Sequence, residues 1–301
     1  MSLQLIGQLA ALATAICWTV TSLSFEAAGR RIGSLQVNIL RLAIAMLMYV
    51  AFGMAVHGRA LPLDAGPHVW LWLSLSGLVG FVLGDLFLFQ AFVDVGARTA
   101  MLVYSSVPPM TAMLGWLVLG ERLTPVQILA MALTVSGIMI VTTARTGPPR
   151  GAGASPRRRV RGIWFAVAGA LGQAAGLVLS RYGAPVYDAF GANQIRSIAG
   201  LAGFALMFAV LGGWGRLGAA VKDGGAMRHL TRGAFFGPFL GVSLGLYAAQ
   251  RAGTGVAATI IATVPVLLIP VSIVLFHERV SLRELAGSVV AVGGVALLFL
   301  S

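Results

Sequence analysis

Charge is what this sequence has least of. Only 10% of its 301 residues are Asp, Glu, Lys or Arg, against about 25% in an ordinary soluble domain. So little polar surface cannot cover a folded chain of this size in water. Cysteine is almost missing as well: Cys17 stands alone, which excludes an intrachain disulfide and a cysteine-rich metal site. The four histidines, His57, His68, His229 and His277, are scattered near or in loops and read as solvated side chains. There is no P-loop, so ATP hydrolysis by this chain is excluded. Aromatic–basic interleaving, zinc-finger spacing and RNA-binding signatures are missing too, so the net charge of +12 does not point to nucleic acid. The N-terminus has no positive n-region, and its apolar stretch is expected to be retained as a helix.

What the sequence does have is long apolar runs. They fall at about 3–24, 35–56, 69–92, 97–119, 125–143, 162–181, 191–211, 233–250, 255–276 and 282–300. Each is long enough for a helix, and none alternates as a barrel strand would. The expected fold is an all-α polytopic membrane protein of ten transmembrane helices. Val95-Gly96-Ala97 and Ala252-Gly253-Thr254 predict tight hairpins between adjacent spans, where glycine permits the sharp turn. The stretch 145–161, rich in Gly, Pro, Ser and Arg, predicts a mobile linker.

That linker sits at the middle of the chain, and the two sides of it overlay. At an offset of 155, Asn38 falls on Asn193 and Arg41 on Arg196. At an offset of 157, Gly80, Gly84, Ala91 and Gly96 fall on Gly237, Gly241, Ala248 and Gly253. The same offset carries Pro108, Glu121, Arg122 and Gly137 onto Pro265, Glu278, Arg279 and Gly294. A nearly constant register across Asn, Arg, Pro and Glu-Arg indicates duplication. The chain therefore divides into a first five-helix repeat (1–144), a basic linker (145–161) and a second five-helix repeat (162–301). Five is odd, so the second repeat must be inverted in the bilayer. Inverted repeats are a recurrent transporter architecture, with the substrate site near the midplane where the repeats meet.

Lysine and arginine counts orient the chain. Connections after odd-numbered spans hold 15 of the 21, including Arg30, Arg31, Arg98 and the cluster in 145–161; the opposite connections hold four, Arg59, Arg122, Arg181 and Arg251. The linker is thus expected in the cytoplasm and both termini on the periplasmic side.

The most specific local pattern recurs in both halves. The first reads Pro108, then Gly120-Glu121-Arg122-Leu123-Thr124, Gln127 and Gly137; the second reads Pro265, then Phe276-His277-Glu278-Arg279-Val280-Ser281, Glu284 and Gly294. Thr124 with Gln127, and Ser281 with Glu284, form capping boxes. Glu121 and Glu278 stand just before helix N-termini, where a negative charge is favoured, so they read as architecture. This repeated Pro…Glu-Arg-Leu-Thr pattern resembles the EamA family of the drug/metabolite transporter superfamily over nearly the whole chain. The resemblance implies two five-helix bundles around a central cavity, alternating access and small organic substrates, commonly exported amino acids. Within the family the chain looks most like the YddG-type exporters of aromatic and other apolar amino acids. Some members of the family place both termini in the cytoplasm; the charge count here argues the reverse.

Ionisable groups inside spans are functional candidates by default, and there are three. Arg41 and Asp85 lie at similar depth, roughly 10–12 Å from the cytoplasmic side, and are able to pair. The pair reads either as a structural link or as a proton-coupling carboxylate modulated by arginine. Arg196 is the counterpart of Arg41, but the counterpart of Asp85 is Val242. Arg196 is left to snorkel, to bond carbonyls or to meet a substrate carboxylate. Symmetry also nominates Trp18 with Gln173 and Gln90 with Tyr247, and Tyr104 lies one turn before Pro108; these five, with Arg196 as a sixth, read as cavity lining or as ordinary packing. Glycines at three- and four-residue spacing on the third and eighth spans allow close helix approach. Pro108 and Pro265 are hinge candidates.

A secondary transporter exporting small organic metabolites, amino acids of aromatic or apolar type foremost, across the cytoplasmic (inner) membrane is the function expected. Uptake or exchange on the same scaffold is the alternative. An intramembrane enzyme fits less well, since clustered catalytic groups are missing. The expected partners are a small-molecule substrate and the lipid bilayer, with no nucleic acid, cofactor or metal, and a monomer is the working expectation.

Overall fold

The computed structural model describes residues 2–88, 90–91, 94, 103–104, 106–144, 156–264, 266–267 and 281–300. Among the described residues there is no strand. Apolar sequence with its backbone polarity satisfied internally is what a helix offers to lipid. The helices are α1 (Leu3–Ile32), α2 (Ser34–His57), α3 (Pro67–Gly77), α4 (Val107–Leu114), α5 (Pro125–Ala144) and α6 (Pro156–Gly183). They continue as α7 (Ala189–Leu211), α8 (Trp214–Lys222), α9 (Gly224–Ala234), α10 (Val242–Ala252), α11 (Thr254–Ile261) and α12 (Leu282–Phe299). Among the described residues, six stretches are long and apolar enough to cross a membrane: Leu3–Gly29, Leu35–His57, Pro67–Leu88, Val160–Gly183, Ala189–Val210 and Leu282–Phe299. Val107–Leu119 and Pro125–Val141 are shorter apolar helices. The outward faces carry large apolar side chains such as Leu47, Trp116, Val210 and Val289, as a surface in contact with lipid does. The chain is a multi-pass membrane protein.

Helix ends follow the capping logic of the sequence. Thr124 and Gln127 exchange backbone–side-chain bonds at 3.1 and 3.2 Å at the start of α5. Ser281 and Glu284 form the complete box at α12. Gly33 and Gly253, with φ of 86° and 87°, turn α1 into α2 and α10 into α11 with a single residue between helices, a conformation L side chains avoid. The other expected hairpin, at Gly96, lies outside the described residues, as do residues 145–155 of the linker. The helix of the second half begins at Pro156, inside the stretch read as linker. A second difference falls between α7 and the eighth span. This basic, glycine-bearing stretch was expected as a connection, yet it is helical as α8 and α9. Leu217 and Ala220 on α8, and Met227 and Leu230 on α9, stand three residues apart and pack in one cluster with Phe204 and Phe208, and that packing outweighs the weak local propensity.

Three helices contain π-helical turns: Leu78–Gly84 after α3, Gly115–Leu119 after α4 and Phe235–Gly241 between α9 and α10. The first and third coincide at the 157-residue offset. The two halves interlock through their first helices: α1 packs on α9, the third π-turn and α10, while α6 packs on α3 and its π-turn. Glycine makes these approaches possible. A Cβ added at Gly172 would stand 2.8 Å from the Gly84 Cα, and one at Gly237 would stand 2.8 Å from Thr21 Cγ2. At the far side, α5 packs on α12, where a Cβ on Gly287 would stand 2.9 Å from the Gly137 carbonyl.

Two kinds of ion pair mark the helix ends. Arg31 at the end of α1 meets Asp223 at the start of α9 at 3.0 Å, and Arg158 and Arg161 on α6 meet Asp94 at 3.2 and 2.9 Å. At the other end, Arg59 meets Asp64 at 3.0 Å, Tyr187 donates to Asp64 at 3.0 Å, and His57 lies 3.8 Å from Asp188.

Candidate functional site: a central cavity

Where the halves interlock, a cavity of about 140 Å³ remains. Its wall draws on α1 (Trp18), the first π-turn (Phe81), α4 and the residue preceding it (Val107, Tyr104), α5 (Ile138), α6 (Gln173, Leu177), α7 (Arg196), α10 (Val242, Gly245) and α11 (Ala258, Ile261). Both repeats therefore contribute. The wall is mostly apolar, with four polar-capable side chains: Trp18, Tyr104, Gln173 and Arg196.

Trp18 and Gln173, the pseudo-equivalent pair, are seated in the same way. Each comes from the first helix of its own half and rests on a glycine that ends the π-turn of the other half. A Cβ added at Gly241 would stand 2.8 Å from Trp18 Cδ1, and one at Gly84 would stand 3.2 Å from Gln173 Nε2. The glycine spacing was legible in the sequence, but its use as a seat for a cavity side chain was not. The signal was the pairing of Gly84 with Gly241 at an offset of 157 and of Trp18 with Gln173 at 155.

Behind the wall lies a buried charge cluster. Arg41 Nη2 contacts Asp85 Oδ2. Gln173 Nε2 donates to Asp85 Oδ1 at 2.8 Å and to the Gly80 carbonyl at 3.1 Å. Asp85 thus links α2, α3 and α6. Arg196 is 4% exposed; its Nη1 donates to Asn193 Oδ1 at 2.6 Å and its guanidinium covers the Phe81 ring at 4.5 Å. No second carboxylate among the described residues pairs with it.

The structure brings together Trp18, Tyr104, Gln173 and Arg196 at the cavity, and Arg41 with Asp85 just behind it. It places Gln90 and Tyr247 elsewhere. Gln90 donates to Asp94 at 3.2 Å in the Arg158–Arg161 cluster, and the Tyr247 ring lies under the Arg251 guanidinium at 5.2 Å. Pro108 occupies the first turn of α4, directly after a turn at Ser106; Pro265 lies outside the described residues. Glu121, read as favouring the helix that follows it, instead reaches α11 across the repeat boundary. It accepts from the Thr254 backbone N–H at 2.9 Å and from Thr254 Oγ1 at 2.6 Å, so it caps a helix of the other half. Its counterpart Glu278 lies outside the described residues. No group of three His, Cys, Asp or Glu side chains stands together among the described residues as a metal site.

A smaller hollow of about 60 Å³ opens at the His57–Asp188 end, between α2, α7 and the loops that follow and precede them. Tyr49, Phe52, Phe190 and Gln194 line it, and the Phe52 and Phe190 rings stack at 4.4 Å.

The family model described as EamA-like transporter family matches residues 5–143 and again 160–300. The chain belongs to the EamA-like transporter family. It is a multi-pass membrane protein of the drug/metabolite transporter superfamily, carrying two copies of the family unit. Threonine/homoserine exporter RhtA of Escherichia coli (strain K12) is 31% identical over 140 residues, which are 45% of this chain and 44% of that protein. The RhtA protein of Salmonella typhimurium (strain LT2) matches at the same identity and coverage. The match thus spans less than half the length of these relatives. A crystal structure of a protein 20% identical to this one superposes with a TM-score of 0.74, over 97% of this chain and 95% of that one; this likeness concerns the fold alone.

Proposed function

We propose that the chain is a secondary transporter that exports small organic metabolites, amino acids foremost, across the cytoplasmic membrane by alternating access. The observation that carries this reading is the cavity at the repeat interface, closed by side chains that the two halves supply in pseudo-symmetric fashion. A site so placed is what rocking of two inverted bundles exposes to each side in turn. Ten spans in two inverted sets of five (1–144 and 162–301) complete the architecture. Support for inversion comes from the ion pairs at the helix ends. Arg31 follows the first helix of the first half, and Asp223 follows the second helix of the second half. For those two points to share one face, the halves must insert in opposite senses. With the positive-inside rule, that face is cytoplasmic, and both termini and the small hollow near His57 face the exterior.

The cargo reading has two sources. The apolar wall, with Trp18, Phe81 and Tyr104, suits apolar and aromatic side chains. The likeness of nearly half the chain to a threonine/homoserine exporter favours small hydroxylated amino acids. Counterflow into proteoliposomes preloaded with unlabelled threonine, homoserine, leucine or phenylalanine separates these. Accumulation of the labelled, chemically unchanged compound supports transport and names the class; conversion to a product supports an enzyme instead.

A further inference from the structure

The two halves of the intramembrane charge cluster do not match. Arg41 and Arg196 are counterparts, and so are Asn38 and Asn193, but the position that supplies Asp85 in the first half supplies Val242 in the second. In the first half Arg41 turns to Asp85, and Asn38 Oδ1 and Arg41 Nε are left without a partner among the described residues. In the second half Arg196 turns back to Asn193, and its Nε has no partner among the described residues. Asp85 makes no hydrogen bond with Arg196; its oxygens accept from Arg41 and Gln173, and it reaches Arg196 only through its charge. Among the described residues, two guanidinium groups in the membrane interior thus stand near a single carboxylate. The unmatched one is buried, and both it and Val242 stand in the cavity wall. An arginine kept at such a depth with no carboxylate bonded to it among the described residues is costly, and a fork of five N–H donors with one hydrogen bond among those residues has most of its capacity spare.

We propose that Arg196 is the anchor for a carboxylate carried by the transported molecule, which takes the place that a counterpart of Asp85 would hold. This rests on the transport reading above and adds to it the recognised group. A guanidinium matches a carboxylate in a bidentate, charge-assisted geometry. The cavity, at about 140 Å³, is close to the roughly 150 Å³ of an engineered cavity that takes up benzene. The cargo is accordingly a small monocarboxylate with an apolar body. No carboxylate among the described residues lines the cavity, so an ammonium group on the cargo is tolerated rather than selected.

The test reads binding without flux, as the thermal unfolding midpoint of the purified full-length protein in detergent. Three probes share one side chain: leucine, 3-methylbutylamine, which lacks the carboxylate, and 4-methylpentanoate, which lacks the ammonium. Leucine and 4-methylpentanoate are expected to raise the midpoint in a saturable way, and the amine is not. Arg196→Gln should weaken the two carboxylates about ten- to a hundredfold, with Arg196→Lys between it and the native protein. Val242→Asp supplies the missing carboxylate internally, so it should raise the midpoint of the free protein and abolish the response to both acids. Should Arg196→Gln not fold, Val242→Asp decides alone. Stabilisation by the amine equal to that by the acids would overturn the proposal, as would an undiminished response of Val242→Asp or no response to any probe at saturation. Absence of counterflow in liposomes would count against the transport reading and leave this binding result standing.

Discussion

Asp94 shows how much of one side chain's role depends on neighbours far along the chain. Hydrogen bonds from Arg161, and then from Arg158, hold its carboxyl below the usual carboxylate range. A lowered folded-state pKa means stability that is present above the unfolded value of about 3.9 and lost as pH falls through the folded one. Asp94→Asn should therefore be less stable than the native protein at neutral pH. The two arginines are about half exposed, which limits the difference to about 1 kcal/mol or less. Melting temperatures measured from pH 7 down to pH 3 should converge at the acid end. Asp85 is the opposite case, buried and with both oxygens engaged. Asp85→Asn leaves the Arg41 charge uncompensated, a loss of about 3–5 kcal/mol that should appear as a lower melting temperature. We expect any dependence of flux on a pH gradient to survive in that protein, because the carboxylate acts as a link between helices; loss of the dependence would favour the proton relay. Depth arithmetic on the sequence was enough to put Arg41 beside Asp85. It could not find the partner of Glu121, since a cap 133 residues away leaves no local trace.

At the scale of elements, apolar runs and capping residues made the helices legible, and glycine spacing marked the close contacts. The π-turns were not legible, because a hydrogen bond that slips to the fifth residue along is set by packing rather than by composition. Their recurrence at Leu78–Gly84 and Phe235–Gly241, each ending on the glycine that seats a cavity residue, fits the tendency of such turns to mark functional positions. The basic helix α8 was missed for the reverse reason: its glycines and charges mask a narrow apolar face that only Phe204 and Phe208 reveal. The seats make a definite prediction. Gly241→Val drives a side chain into Trp18 and the Phe236 carbonyl, and overpacking of this kind costs about 1–3 kcal/mol. Stability should fall, and the paired change of Trp18→Ala should recover part of it; a double variant no better than the single one would mean that the indole is not what the glycine accommodates. Gly215, with open space around its Cα, is the control position where a side chain should be neutral.

For the whole molecule, duplication is the organising fact. One family unit, carried twice over residues 5–143 and 160–300, supplies the interlocked first helices, the matched π-turns and a cavity shared by both halves. One break in its symmetry, Asp85 against Val242, falls at that cavity. Of the six nominated lining residues, symmetry and depth led to the four that meet there. Gln90 and Tyr247 match at an offset of 157 but lie where helix ends and an arginine claim them, because a shared register fixes depth and not the direction in which a side chain points. The central claim is that amino acids cross through this cavity. Counterflow of labelled leucine and threonine in proteoliposomes, native protein beside Ala258→Trp, tests it most directly, since Ala258 lines the cavity and an indole there fills it. The account predicts exchange by the native protein and none by an Ala258→Trp protein that still purifies folded. Equal exchange by both, or none by the native protein with any amino acid, would contradict it.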